Sequence, residues 1–103
     1  MTARLKAEEV ADQLSKDARA LISIFRGCKL RDTFTLNDAV DPTPVFEQAF
    51  AGAADLKQHG LIGEPVQIPT DDIRCIRKLE YRWTPLGLDV RAIMLERLAE
   101  EAA

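Results

Sequence analysis

The sequence predicts a single, mainly α domain with one small β-hairpin, opened by a long helix and closed by another. Three observations carry that prediction. Apolar side chains recur every three to five residues across 3–26, the repeat of one helix face. Leu79, Tyr81 and Trp83 then alternate with Lys78, Glu80 and Arg82, the repeat of a half-buried strand. Thr84-Pro85 follows at once, a hydroxyl for the free amides of a helix start and then a residue whose missing N–H costs nothing at the first helical position. At 103 residues the chain can bury one real core and is too short for two.

The amino-terminal stripe runs through Leu5, Val10, Leu14, Ala18, Leu21, Ile22 and Phe25, with Arg4, Lys6, Glu8, Glu9, Asp12 and Lys16 around it. As one helix this segment would be roughly 36 Å long, more than a domain of this size needs for its own core. Two readings stand side by side. Either only residues 14–25 pack internally, or the stripe around Leu5, Val10 and Leu14 meets a second copy and residues 1–27 form a dimerisation element. Gly27 is placed to end the helix. Thr35, with Asp38 three residues on, reads as the cap of a short helix within 34–40. Asp41-Pro42-Thr43-Pro44 stops it, because each proline biases its predecessor away from helical geometry.

Thr43 and Pro44 suit the start of the next helix, 45–59, whose buried face is Phe46, Ala49, Phe50, Ala53 and Leu56. Gly60 should take the left-handed position after its end, which sets Leu56 against Leu61 in a Schellman contact. Gly63-Glu64-Pro65 reads as a turn, 66–68 as a short strand, and Pro69-Thr70-Asp71-Asp72 as a turn or a cap. Residues 73–83 are mostly extended. The last helix runs from Pro85 to about Glu100, with Leu86, Val90, Ile93 and Leu98 aligned.

Composition narrows the functional classes. Hydrophobic residues make up 47% and charged residues 30%, as in ordinary water-soluble domains. No apolar run approaches the roughly 20 residues that span a bilayer, and the amino terminus lacks a signal-peptide core, so the expected setting is cytoplasmic with no membrane contact. Cys28 and Cys75 have no metal-ligand spacing and read as reduced thiols; a disulfide would require the fold to bring them together. The net charge of −3 argues against a protein that coats nucleic acid indiscriminately, yet leaves room for a local basic surface. The sole histidine, His59, falls at a helix end, and no nucleophile set, glycine-rich phosphate loop or metal cluster is present. Neither an enzyme nor a cofactor or metal is expected.

Read in order, the elements are a long helix, a short helix, a tight turn, a helix, a hairpin and a helix. Two local patterns sit on that order. Leu56-Lys57-Gln58-His59-Gly60-Leu61-Ile62 is one, and Tyr81-Arg82-Trp83-Thr84-Pro85-Leu86-Gly87 is the other. Over roughly residues 20–100 the chain resembles the winged helix-turn-helix family of bacterial transcription regulators, including its MarR-like and PadR-like groups. The first pattern is similar to the family's exit from the recognition helix, the second to the wing's return strand entering the last helix. The resemblance implies a winged helix-turn-helix fold with a long amino-terminal helix and a carboxy-terminal helix. It further implies a homodimeric regulator on double-stranded DNA, held through its terminal helices. Gly87 has a physical reason in that setting: without a side chain, the last helix can start close against a neighbour.

A winged helix lays the helix after the turn in the major groove and the hairpin along an adjacent groove or phosphate strand. Arg74, Arg77, Lys78 and Arg82 oppose Glu80 alone between 73 and 84, so the wing is basic and suits phosphates or a narrow minor groove. On the preceding helix the outward residues are expected to be Glu47, Gln48, Ala51, Gly52, Asp55, Gln58 and His59. Gln48 could read adenine and Glu47 a cytosine amino group. That helix holds no arginine, and Ala51-Gly52 makes a flat patch suited to close helix contact. The alternative function is therefore a winged-helix protein-interaction module, an adaptor or inhibitor of a larger complex that binds no DNA.

Overall fold

The computed structural model describes residues 2–26, 29, 31–39 and 43–102, with side chains at all of these but 2–4, 39, 75 and 102. Gly27, Cys28 and the stop at Asp41-Pro42 lie outside the described residues, as does the Cys75 side chain. In chain order the elements are α1 (Thr2–Gln13), α2 (Lys16–Ser23), β1 (Thr33–Ala39), α3 (Pro44–Gln58), β2 (Val66–Ile68), β3 (Cys75–Arg82) and α4 (Pro85–Ala102). The three strands form one antiparallel sheet in the order β1-β3-β2. Among the helices, α2 lies against α3 and α4, and α1 lies against α4.

The single long helix expected over 3–26 is two helices. Ser15 is extended, and its hydroxyl accepts the Ala18 N–H at 3.1 Å, so it caps α2. The Ser15 N–H is taken by the Asp55 carboxylate of α3 at 3.0 Å. Capping pays for the break, and the break lets α1 fold back along α4 instead of running past the core. Ala7 and Ala11 are fully buried there and Leu14 is 4% exposed. Thus the first half packs inside the chain as well as the second.

The short helix expected from Thr35 and Asp38 is a strand. Phe34 and Leu36 face inward, two residues apart, opposite Tyr81 and Leu79 of β3. A capping pattern contributes about 1 kcal/mol. The strand gains a ladder along its length, burial of Phe34, contributing roughly 1.5–3 kcal/mol, and partial burial of Leu36. Tertiary pairing therefore overrides the local cap signal. Among the described residues, one helix, α3, then lies between β1 and the β2–β3 hairpin, and the short helix of the expected helix-turn-helix is absent.

Other junctions follow the sequence closely. Gly60 has φ +74°, Leu61 N–H donates to Leu56 O at 2.9 Å and Gly60 N–H to Lys57 O at 3.0 Å, which is the Schellman ending of α3. At the start of α3, Pro44 takes the first helical turn, but the Thr43 hydroxyl makes no cap bond. At the other end of the hairpin, Thr84 Oγ1 accepts the Gly87 N–H at 3.0 Å and donates to Gly60 O at 2.7 Å. One threonine thus caps α4 and ties it to the end of α3.

Leu79, Tyr81 and Trp83 are buried as their alternation requires. Phe34 stacks on Tyr81 with ring centroids 5.1 Å apart, and Phe25 meets Trp83 edge-on at 6.1 Å. Arg91 of α4, 8% exposed, lies over the Trp83 ring at 5.3 Å. This aromatic cluster joins α2, the sheet and α4.

Candidate functional site

The expected contact residues divide between the hairpin and α3. At the hairpin turn, Thr70 Oγ1 accepts the Asp72 N–H and Asp72 Oδ1 accepts the Arg74 N–H, so two side chains shape the backbone before β3 begins. The Arg74 guanidinium returns to the same carboxylate through both arms, Nε to Oδ1 at 3.0 Å and a terminal nitrogen to Oδ2 at 2.9 Å. That fork holds the Asp72 carboxyl down from the ordinary 3.8 to about 2, through the Arg74 side-chain bond first and the Arg74 amide second. A carboxyl depressed in the folded state adds stability above pH 4, and that contribution is lost as pH falls from about 4 through about 2. The pair is exposed, so the effect on overall stability is small. An NMR titration of Asp72 should show a midpoint near 2 that returns toward 3.8 in Arg74→Ala.

Arg77 sits on the inward-pointing register of β3, opposite Asp38, and its Nε donates to that carboxylate at 3.0 Å. Lys78 and Arg82 lie on the outer face of β3 with Ile76 and Glu80. Lys78 is half-buried between Asn37 and Ile68, and Arg82 is exposed opposite Thr33. The hairpin is thus less basic in space than in sequence. Counted over 66–82, four cations meet three carboxylates, and Asp38 arrives from β1. Asp38 is the partner that linear reading could not supply, because its placement depends on β1 being a strand.

On α3, Glu47 and Gln48 are exposed, as are Ala51 and Gln58. Of the other residues expected outward, Gly52 is buried and Asp55 and His59 are only partly exposed. A Cβ at Gly52 would lie 2.5 Å from the Asp17 carbonyl oxygen, so its flatness serves contact with α2 within the chain. Asp55 points to the start of α2, with His59 Nε2 3.6 Å from its other oxygen. Lys57 is paired with Glu64. The Phe46 side chain, placed inward by periodicity, is 37% exposed beside Val45 at 73%.

These two exposed apolar residues stand at the start of α3. β1 ends at Ala39, paired with Cys75, and α3 begins five residues later, a distance of at most about 17 Å. Ile73, 92% exposed, and Ile76, 63% exposed, flank that same pairing. Of the residues suggested for dimer contact, Leu5 is exposed, Val10 is partly buried against the core and Leu14 is buried in it.

Among the described residues no group of three His, Cys, Asp or Glu could hold a metal ion, and no helix is long and apolar enough to cross a membrane. Comparison with family models, with curated proteins and with solved structures finds no match to this chain.

Proposed function

We propose that the chain is a winged-helix-type interaction domain that docks a protein through the end where α3 begins and the hairpin turns. The observation that carries this reading is the exposure of Val45 and Phe46 at the start of α3 and of Ile73 and Ile76 around the hairpin turn. Exposed apolar groups that form one patch mark contact surfaces, and a partner with a mainly apolar face is the chemistry that would cover them. The nearby cations Arg74 and Arg77 already hold carboxylates, which suits a rim around such a contact. The winged-helix reading is supported by a hairpin that follows α3, by its middle strand β3, and by a closing helix capped straight off the sheet. In this reading α3 takes the part of a recognition helix, preceded by the strand β1 and not by a turn helix.

A second reading, duplex DNA, is favoured by Lys78 and Arg82 on the outer face of β3 and by Arg74 at the turn, whose side chain is 85% exposed. A phosphate reaching Arg74 or Arg77 would compete with Asp72 or Asp38 and feel their repulsion. One paired experiment separates the two. A tagged chain should retain one stoichiometric protein partner, and Ile73→Asp or Val45→Asp should weaken that complex at least about tenfold in a purified titration. For DNA, affinity would fall steeply with salt, and Arg74→Ala with Arg77→Ala would reduce the log–log slope by about 2. An undiminished complex in both docking variants defeats the first reading; no duplex binding at low salt defeats the second.

A further inference from the structure

We infer that the cleft between the end of α2, the β1 edge and α4 is a binding site for a small carboxylate with a flat apolar body. The cleft has a volume of about 380 Å³, within the size range of small-molecule sites. Phe25, Phe34 and Trp83 line it on the apolar side. Lys29, Arg31 and Arg91 are its cations, against the single carboxylate of Glu80, so its lining carries an excess of two positive charges.

Arg91 is the residue that gives the cleft its chemistry. It is 92% buried, since only 8% of its surface is exposed, and one terminal nitrogen donates to the Arg31 carbonyl at 2.6 Å. Its Nε–H is buried without a hydrogen-bond partner among the described residues. Asp32 acts on it electrostatically, yet no carboxylate among the described residues forms an ion pair with it. A buried guanidinium with one carbonyl and an aromatic face is only partly compensated for its lost hydration. A carboxylate is the anion whose geometry matches the guanidinium fork, and the aromatic wall selects a planar, apolar body behind it. A purely structural Arg91, tethering the Arg31 loop to Trp83, would need no such ligand. This site shares no residue with the proposed docking surface of Val45, Phe46, Ile73 and Ile76.

Trp83 is the only tryptophan of the chain and lines the cleft, so its fluorescence reports occupancy directly. Benzoate is the probe and benzamide its neutral counterpart, titrated at constant ionic strength. The expected result is a saturable change with benzoate, an affinity about tenfold or more above that of benzamide, and a shift of the Arg91 Nε–H resonance in NMR. Arg91→Gln should abolish the preference for benzoate. Should that variant not fold, Lys29→Glu with Arg31→Glu, both at exposed positions, should weaken benzoate about tenfold. Equal binding of benzamide, no saturation by about 20 mM benzoate, or an unchanged affinity in the charge-reversed variant would each overturn the site.

Discussion

Gly87→Ala should destabilise the domain by about 3 kcal/mol or more, enough to leave much of the chain unfolded at ordinary temperature. Alanine is intrinsically the better helix former by about 1 kcal/mol, so a solvent-facing glycine at this position would give the opposite sign. The reason lies in tertiary contact. A Cβ at Gly87 would overlap the Leu61 carbonyl oxygen, and that atom belongs to the backbone, not to a side chain that can rotate away. The same oxygen accepts the Thr84 N–H at 2.9 Å, so moving it disturbs the junction of β3 with α4. Gly60→Ala makes a useful contrast. No atom lies near its Cβ position, and the penalty there is only the left-handed backbone at φ +74°, about 1 kcal/mol. Urea unfolding of the two variants tests the ranking. A Gly87→Ala protein within about 0.5 kcal/mol of wild type would contradict the close approach of α4 to Leu61.

Trp83→Ala should cost about 3–5 kcal/mol, the range for removing a large buried aromatic side chain. Trp83 is 4% exposed and touches Phe25 and Phe34 with ring centroids 6.1 Å and 5.3 Å away. Its removal opens a cavity where α2, the sheet and α4 meet. It also strips the ring from beneath Arg91, leaving a buried cation with less compensation. Trp83→Phe keeps a ring in the same place and should recover most of the loss. Denaturant midpoints for the pair provide the measurement. A cost below about 1 kcal/mol for Trp83→Ala would mean that the aromatic cluster lies outside the cooperative core.

Both predictions fall at the strand-to-helix junction, the part of the chain most legible in one dimension. Strict alternation from Leu79 to Trp83 names the buried face without knowledge of any partner strand. Thr84-Pro85 and Gly60 are similarly self-sufficient, because capping and left-handed backbone are satisfied within a few residues. β1 was not legible in this way. Thr35 and Asp38 offer a local helix cap, and the stronger contribution, pairing with β3 about 40 residues on, leaves no mark on the segment beyond Phe34 and Leu36 two residues apart. The break at Ser15 had the same character. The apolar repeat runs through it unbroken, and the need to fold α1 against α4 is a property of the whole domain.

The candidate surfaces show the division most clearly. The sequence alone established one domain, a closing helix entered directly from a strand, a hairpin rich in arginine and an α3 without any. Tertiary structure alone decided that Asp38 faces Arg77, that Asp55 turns inward to Ser15, that Gly52 serves an internal contact and that Arg91 is buried over Trp83. Local structure depends on neighbours within a helical turn, so it can be read along the chain. The charge that a surface presents depends on which carboxylates other elements bring to it, and that is settled only when the strands pair and the helices pack.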